Sequence, residues 1–372
     1  MKLKKLSFIG IALVLVAAMI MLLAVGCSST TTTTATTTTS TTTTPLTTTT
    51  TTQNIGPTTL TIFAAGTLAG PFGAVDTAFE NAYPNITVQA QFAGSVLDAN
   101  NIAQLHEECD VLAVADYHVI PEVLYPSTTT VTPTGTSTGT TTSVTPAYAN
   151  WYIGFDSNAM TLMYTPNSKG ASTINANNWY QILSEPGVNI GRSDPNTDPS
   201  GYQFLNMLQL ASTYYNVPNL SQNVLANSPA KYVTSTETDN IAALQAGEID
   251  YLAIYTSTAQ EQGSGFEYLN LPPQINFSEA SMSAQYATVS TQTNAGTQTG
   301  SPIIYAITIP TTAAHTQAAQ LFVQFLLSSQ GQSIMTQQGF QTVSPAVADG
   351  IANVPTSLQS MVQPWPTTTS AP

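Results

Sequence analysis

Residues 58–68 read TTLTIFAAGTL and predict a buried strand that runs into a tight turn. Residues 59–64 favour a strand, since β-branched and aromatic side chains suit a pleated surface. Glycine and a hydroxyl follow as Gly66 and Thr67, and the pattern over 74–82 predicts a helix after the turn. The stretch is typical of a strand–turn–helix unit whose turn offers backbone N–H groups and a hydroxyl.

The same arrangement recurs further along the chain. A strand is predicted over 86–90 and a helix over 97–105, with Gly94 and Ser95 in the turn between them. Residues 110–115 are almost continuously apolar, as in a strand that is buried on both faces. Alternating strands and helices predict a doubly wound, mainly parallel sheet, in which ligands bind at the carboxyl ends of the strands. Both glycine–hydroxyl turns are expected at that edge.

The second half of the chain repeats the alternation. Strands are predicted over 160–164, 247–255 (a turn and a strand) and 302–309, and helices over 179–184, 202–215, 241–245 and 318–327. Asp198 and Pro199 precede the second of these helices, where an N-cap carboxylate and a proline are both favoured. Two α/β lobes joined by connecting strands predict a clam-shell that hinges near 152–161 and 302–309.

The N-terminus predicts export from the cell. Three lysines within the first five residues precede an uncharged apolar run over 8–25, and Cys27 follows a small residue. This order is typical of a secretory signal peptide over 1–27, with Cys27 as a lipoprotein acceptor. The alternative is an uncleaved membrane anchor, because the run is about as long as a short transmembrane helix. Either way, the remaining chain is expected outside the cell and tethered to the membrane.

Composition excludes several classes of function. Charged residues make up 7% of the chain, where about 25% is typical of soluble domains. The net charge of −14 argues against a nucleic-acid binder and against a protein held to anionic lipid by a basic patch. The two cysteines cannot form a disulfide scaffold. The 42% of hydrophobic residues is enough for real cores.

Low-complexity segments mark the domain boundaries. Threonine-rich residues 28–57 predict a disordered stalk, and a second such stretch over 127–145 predicts a long surface loop within the folded part. We expect lobe 1 over 58–158, lobe 2 over 159–299, a return to lobe 1 over 300–355 and a tail over 356–372.

Eight motifs in one order carry a resemblance to a known family. They are AGTL (65–68), AGSV (93–96), ADY (115–117), WYQIL (179–183), DPNTDPSGY (194–202), AGEIDY (246–251), YLNLPP (268–273) and GSPIIY (300–305). In these the chain resembles the archaeal molybdate/tungstate-binding proteins, which are extracellular solute-binding proteins of ABC importers. The resemblance covers about residues 58–342. It implies a two-lobed type II periplasmic-binding-protein fold with the ligand in the cleft between the lobes.

The resemblance also implies which residues hold the oxyanion. They are Gly66, Thr67, Ser95, Asp198, Pro199, Ser200, Glu248 and Tyr268. In that family the metal centre of the oxyanion is six-coordinate, with four oxo groups held by hydrogen bonds and two carboxylates completing the shell. Asp198 and Glu248 would be those carboxylates. They favour molybdate or tungstate over sulfate and phosphate, because only a metal centre accepts two further oxygen ligands.

The resemblance implies capture rather than catalysis. No cofactor is expected, and the implied partners are an ABC permease with its ATPase, served by a monomer that closes on its ligand. The low charge content further suggests an acidic environment. The affinity for the oxyanion is then expected to weaken as the pH rises from about 4 to about 8, because ionised carboxylates oppose a dianion.

Three alternatives remain open from the sequence. The first is a solute-binding protein for another oxyanion, such as sulfate or phosphate, or for another small solute. The second is an enzyme that uses Asp198 and Glu248 as an acid/base pair, as in glycoside hydrolysis. The third is a structural cell-surface protein that uses the threonine stalk as a spacer.

Overall fold

The structure is a computed structural model that describes residues 55–126, 128–131, 141–144 and 147–366. Its strands are β1 Thr58–Ala65, β2 Ile86–Ala93, β3 Val111–Val114, β4 Thr128–Val131, β5 Thr141–Val144, β6 Tyr152–Ser157, β7 Met160–Tyr164, β8 Ile190–Ser193, β9 Val233–Thr234, β10 Tyr251–Tyr255, β11 Glu267–Tyr268, β12 Ser290–Thr293, β13 Gly296–Thr299, β14 Ile304–Thr308, β15 Gln341–Asp349 and β16 Val362–Pro364. Its helices are α1 Ala69–Ala82, α2 Ser95–Leu105, α3 Trp179–Leu183, α4 Pro199–Tyr214, α5 Leu220–Leu225, α6 Ile241–Gln245, α7 Thr256–Glu261, α8 Pro273–Asn276, α9 Ser283–Tyr286, α10 Thr316–Leu327, α11 Ser329–Gln337 and α12 Thr356–Gln359. Two short 3₁₀ turns, Gly66–Leu68 and Glu237–Asn240, follow β1 and β9.

The first sheet has seven strands in the order β16–β15–β6–β14–β3–β1–β2. β1 pairs in parallel with β2 and β3, so the predicted strand–helix alternation over the first part of the chain forms a parallel unit. β14 runs antiparallel to β3 and to β6, and β15 runs antiparallel to β6. The sheet is therefore mixed: β6 runs in the same direction as β1, β2 and β3, whereas β14, β15 and β16 run in the opposite direction.

The second sheet has five strands in the order β11–β7–β10–β8–β9. β8 is parallel to β10 and to β9, whereas β7 is antiparallel to β10 and β11. The carboxyl ends of β8, β9 and β10 therefore meet at one edge. We refer to each sheet with the helices packed on it as a lobe, the first lobe and the second lobe.

The central strands of both sheets are covered on both faces, which explains the continuous apolar sequences of β3, β7 and β10. Within β10, Leu252 and Ile254 belong to one hydrophobic cluster, while Tyr251, Ala253 and Tyr255 belong to another. All five residues of β10 are buried. Successive side chains of a strand point to opposite faces, so a strand that is covered on both sides has no polar alternation.

The polypeptide crosses between the sheets at Asn158. β6 ends at Ser157 in the first sheet and β7 begins at Met160 in the second. The Asn158 side chain accepts hydrogen bonds from the Ala159 and Ser257 amides and donates to Ser257 Oγ (2.7 Å) and to the Tyr305 hydroxyl (3.3 Å). These four hydrogen bonds of one buried side chain connect the crossing segment to both lobes. The hinge motion expected at this place remains a prediction.

The threonine-rich segment over 127–145 contains more regular structure than the predicted loop. Its described parts are β4 and β5, which pair antiparallel from Thr128 opposite Val144 to Val131 opposite Thr141. Threonine is β-branched and is enriched in strands, so a threonine-rich run can form a ladder even without an apolar alternation.

The predicted signal peptide with Cys27, and residues 28–54 of the predicted stalk, lie outside the described residues. Among the helices that the structure does describe, none combines the length and the apolar character needed to cross a membrane.

Candidate ligand-binding site

The carboxyl ends of the parallel strands in the two lobes face each other across a closed cleft. β1 and β2 run into Gly66–Thr67 and Gly94–Ser95, and these turns are neighbours because Ala65 pairs with Ala93. Across the cleft, the loop before α4 touches the start of α2, where the Leu97 amide donates to the Thr197 carbonyl at 3.3 Å.

Gly94 shows how closely the two lobes approach. A Cβ atom at this position would lie 2.3 Å from the Thr197 carbonyl oxygen and 2.8 Å from that of Ser235. Only glycine leaves room for this backbone-to-backbone contact. The glycine noted in the sequence is therefore needed for the close approach of the lobes.

Asp198 is the N-cap of α4, and its side chain is 5% exposed. Its Oδ1 atom accepts hydrogen bonds from the Ser200 amide (2.8 Å), from the Ser200 hydroxyl (2.6 Å) and from the Ser193 hydroxyl (3.3 Å). Pro199 occupies the first position of the helix, as predicted. All the donors in these bonds are neutral, so the carboxyl group has no cation as a hydrogen-bond partner here.

Glu237 is the second carboxyl group at this edge. It begins the 3₁₀ turn that follows β9 and its side chain is fully buried. Its Oε1 atom accepts from the Tyr255 amide at 3.5 Å, while its Oε2 atom has no hydrogen-bond partner within the described part of the chain. A buried carboxyl oxygen without a partner costs free energy, and a ligand bound to this oxygen would offset that cost.

Tyr255 and Tyr305 connect this carboxyl pair to the first lobe. Their rings lie 6.1 Å apart between centroids, and both side chains are fully buried. The Tyr305 hydroxyl is 2.8 Å from Thr67 Oγ1. The Tyr255 hydroxyl has no partner among the residues that the structure describes. A chain of buried contacts therefore runs from one lobe to the other. It links Thr67 to Tyr305, Tyr305 to Tyr255 and Tyr255 to Glu237.

Ser95 adds a donor from the first lobe. It is the first residue of α2, and its Oγ accepts a hydrogen bond from the Ala115 amide at 3.0 Å. Since that bond uses a lone pair of the oxygen, the O–H is available to donate to a ligand. The N-terminus of α2 also favours negative charge through its first amides and its dipole.

The two carboxyl groups hold protons more tightly than ordinary carboxyls. Burial raises the pKa of Asp198, although the hydrogen bonds from Ser200 act against it. Burial and the nearby charge of Asp198 raise the pKa of Glu237 well above its usual range, and Ser200 again acts in the opposite direction. Two buried carboxyls side by side resist ionising together. The pair is therefore expected to lose its protons only at a higher pH than two ordinary carboxyls.

Four further carboxyls, of which Asp98 and Asp156 are buried and Asp76 and Glu261 half-buried, share this property. Burial raises the pKa of Asp76 and of Glu261 to about 7, and the pKa of Asp98 and of Asp156 to about 8. Each has at least one oxygen without a hydrogen-bond partner among the described residues.

These raised values predict that stability falls as the pH rises. The ordinary pKa values are 3.8 for aspartate and 4.5 for glutamate, so the folded chain keeps protons that the unfolded chain has lost. The stability that these protonated carboxyls contribute is fully present below the pKa of the unfolded chain. It is lost as the pH rises through the pKa of the folded chain. We expect calorimetry to give a melting temperature about 5 °C or more higher at about pH 4.5 than at about pH 8. Asp156→Asn should reduce the difference and Glu108→Gln, at an exposed position, should not. Equal melting temperatures at the two pH values would contradict the prediction.

The structure divides the eight residues that the sequence predicted for the site into two groups. It brings together six of them, namely Gly66, Thr67, Ser95, Asp198, Pro199 and Ser200. It does not bring Glu248 or Tyr268 to them. Glu248 is exposed after α6, where its carboxylate accepts from the Tyr232 hydroxyl at 3.4 Å. The Tyr268 hydroxyl accepts from Gln260 Nε2 at 3.2 Å.

Glu237 and Tyr255 are two candidate site residues that the sequence did not predict. Tyr255 is the last residue of β10, and Glu237 follows β9 within three residues. The carboxyl-edge rule that identified Gly66 and Ser95 would have identified both, had the second sheet been assigned from the sequence. Among the residues that the structure describes, no three His, Cys, Asp or Glu side chains are grouped as ligands for a resident metal ion.

Comparison with known proteins places the chain in a family. The profile of the bacterial extracellular solute-binding proteins matches residues 60–341, and the chain belongs to this family. An uncharacterized solute-binding protein of Petrotoga mobilis is 37% identical over 310 residues, which cover 82% of this chain and 90% of the relative. The molybdate/tungstate-binding protein WtpA of Pyrococcus abyssi is 30% identical over 332 residues, covering 82% and 90%. The resemblance to molybdate/tungstate-binding proteins is thereby confirmed.

A solved structure agrees on the fold. The periplasmic molybdate-binding protein of Azotobacter vinelandii superposes with a TM-score of 0.51 at 11% identity, covering 76% of this chain and 98% of that protein. The fold is the type II periplasmic-binding-protein fold that the sequence predicted. The chain is an extracellular solute-binding protein of an ABC transporter. This family consists of binding proteins, so the glycoside-hydrolysing enzyme is excluded.

Proposed function

We propose that this protein captures molybdate or tungstate, with Asp198 and Glu237 as the two carboxylates that complete the coordination of the metal. The pair Asp198 and Glu248 was expected from the sequence. Glu237 takes the place of Glu248 in the proposal because Glu237 is buried and close enough to Asp198 for that charge to raise its pKa, whereas Glu248 is exposed. Gly66, Thr67, Ser95 and Tyr255 would donate hydrogen bonds to the oxo groups from backbone amides and hydroxyls. Ser200, whose amide and hydroxyl both donate to Asp198, would hold that carboxylate in place.

The observation that carries the proposal is a pair of buried carboxyls among neutral donors. A site that relied on charge to hold sulfate or phosphate would offer cations or only N–H groups. Two carboxyls beside a dianion are repulsive unless they bind its central atom. A molybdenum or tungsten centre accepts two more oxygen ligands, whereas the sulfur of sulfate does not. The buried pair therefore favours the metal oxyanions and disfavours the commoner anions.

The unpartnered atoms support the same assignment. Glu237 Oε2 and the Tyr255 hydroxyl are both buried, and neither has a partner within the described residues. A bound oxyanion would give Tyr255 an acceptor, and its metal would give Glu237 an electrophile. Each unmet group costs about 1–3 kcal/mol, so filling both would contribute to affinity.

The experiment is thermal unfolding of the purified chain with molybdate, tungstate, sulfate or phosphate added separately. A ligand at about 100 times its Kd stabilises the folded state by about 2.7 kcal/mol, which corresponds to a shift of about 5 °C or more. We expect this shift with molybdate or tungstate only. A comparable shift with sulfate or phosphate would support the alternative, a binding protein for another oxyanion. No shift with any of the four would exclude the proposal.

The pH dependence of binding follows from the carboxyl pair. Because burial raises the pKa of Asp198 and of Glu237, the pair keeps protons in acid, and each proton must leave before its carboxylate can coordinate a metal. The weakening of affinity expected between about pH 4 and about pH 8 from repulsion of the dianion remains a prediction. This deprotonation acts against it, and the same titrations repeated across that range show which effect is larger.

We further propose that the protein acts as a lipid-anchored monomer that delivers its ligand to an ABC permease driven by its ATPase. The sequence of residues 1–27 supports cleavage before Cys27, and membership of the extracellular solute-binding family supports the location. Mass spectrometry of the mature N-terminus decides between a lipidated Cys27 and a retained anchor. A mature chain that still contains residues 1–26 would exclude lipidation at Cys27.

A further inference from the structure

Asp116 joins the two lobes at a point away from the carboxyl pair. It follows β3 in the first lobe, and its side chain is 2% exposed. Its Oδ1 atom accepts from the His118 amide at 3.0 Å and lies 2.9 Å from His118 Nδ1. Its Oδ2 atom accepts from the Tyr202 hydroxyl at 2.7 Å and from Gln203 Nε2 at 3.1 Å. The carboxylate is thus fixed by its own lobe and receives two donors from the other.

Tyr202 and Gln203 lie on α4, the helix that begins at the candidate site. Asp198 caps this helix and Ser200 is in its first turn, while Tyr202 is four residues beyond Asp198. At about 1.5 Å of rise per residue, the two positions are about 6 Å apart along the axis. Both positions lie on the same continuous helix. When this helix moves against the first lobe, the ligand-binding end and the Asp116 contact therefore move together.

The hydrogen bonds from Tyr202 and Gln203 to Asp116 are of the kind expected to form only when the two lobes close. Tyr202 and Gln203 are 2% and 3% exposed, so their bonds to Asp116 are shielded from water. Burial raises the pKa of Tyr202 well above its usual range, which keeps its hydroxyl protonated as a donor. Hydrogen bonds to an ionised acceptor are roughly twice as strong as neutral ones. When the lobes separate, water can hydrate all three side chains.

A second contact continues along the same side of α4. Gln298 Nε2 donates to Glu122 Oε2 of the first lobe at 2.9 Å, and the Gln298 carbonyl accepts from Asn206 Nδ2 of α4 at 3.1 Å. The helix is therefore fastened to the first lobe both directly and through Gln298.

We propose that Asp116 is a positioning residue that latches the closed state of the lobes and so raises affinity without touching the ligand. Tyr202 and Gln203 are the donors that it captures. The part of the proposal that concerns affinity rests on the proposed function, whereas the latch itself does not. Ligand binding at the end of α4 and the latch one turn later would each favour the closed state, so each strengthens the other.

The test measures closure and binding separately. Spin labels on Gln104→Cys and Thr213→Cys, which are exposed on α2 and α4, report the distance between the lobes. In the otherwise native chain we expect a narrow distance distribution with molybdate. Asp116→Asn should give longer distances with and without molybdate, and a Kd for molybdate raised about 10-fold or more.

Asp110→Asn is the matched control. Asp110 precedes the same strand, is similarly buried, and bonds to His315 and to the Thr61 amide within the first lobe. This variant should lower the melting temperature without changing the distances or the Kd. If Asp116→Asn fails to fold, Tyr202→Phe removes only the hydroxyl and should lengthen the distances by itself.

The outcomes separate the two proposals. Distances and Kd that stay native in Asp116→Asn and in Tyr202→Phe would overturn the latch. Distances that lengthen in a protein that binds no molybdate would support the latch and exclude the proposed ligand. When both variants fold, their effects on Kd should be less than additive in the double variant, because they remove the same contact.

Discussion

Glu237→Gln is expected to abolish the response to molybdate and tungstate, with a Kd raised at least about 100-fold, or about 2.7 kcal/mol. The amide keeps the size and much of the hydrogen bonding of the carboxyl but cannot serve as an anionic ligand to the metal. The variant should fold, because glutamine relieves the repulsion with Asp198 that raises the pKa of Glu237. Titration calorimetry measures the Kd, and thermal unfolding of the same samples shows that the variant is folded.

Glu248→Gln is the control for this result. It makes the same chemical change eleven residues along the chain, at an exposed position whose carboxylate bonds only to Tyr232 among the described residues. We expect native affinity in this variant. The reverse outcome, with binding lost in Glu248→Gln and kept in Glu237→Gln, would return the site to the residues expected from the sequence.

Gly94→Ala is expected to weaken ligand binding about 100-fold or more by preventing full closure. The backbone of Gly94 has φ −66° and ψ 132°, a conformation that alanine adopts without strain. The first lobe should therefore fold normally. The added methyl group would meet the Thr197 carbonyl oxygen at 2.3 Å, and backbone atoms cannot give way as a flexible side chain can.

The matched control is Gly73→Ala on α1. A Cβ atom there would have no heavy atom within 4 Å, and alanine is favoured over glycine in a helix by about 1 kcal/mol. That variant should be slightly stabilised and should bind as the native chain does. Scattering measurements with molybdate should show a more expanded Gly94→Ala protein. An unchanged radius and Kd would mean that the closed cleft is not the binding state.

The first lobe could be predicted from the sequence because its signals are local. β1 and β3 are mainly apolar, β2 alternates between apolar and polar residues, and each of the three is followed by a helix or a turn. The predicted start of α4 was also confirmed, because Asp198 and Pro199 are strong local signals. Such features depend on residues within one or two turns of each other.

The second carboxyl could not be chosen by the same means. Glu237 and Glu248 both stand in short polar segments after apolar ones, and nothing local separates a buried glutamate from an exposed one. Glu237 is buried because β8 pairs with β9 and β10, which brings residues 193, 234 and 255 to one edge. β8 has only four residues and includes Gly191, so its pattern is too short to predict.

The neutral donors around Asp198 have a consequence for the kinetics of capture. A chain with a net charge of −14 and a cleft without cationic donors to its carboxyl pair repels a dianion at long range. Association is then slower than the electrostatically steered encounters of basic clefts, and added salt speeds it by screening the repulsion. Sulfate and hydrogen phosphate meet the same field, because at long range only the charge of the anion counts. Under the proposed function, the repulsion slows every dianion alike, and the choice among them is made only after contact, at the carboxyl pair.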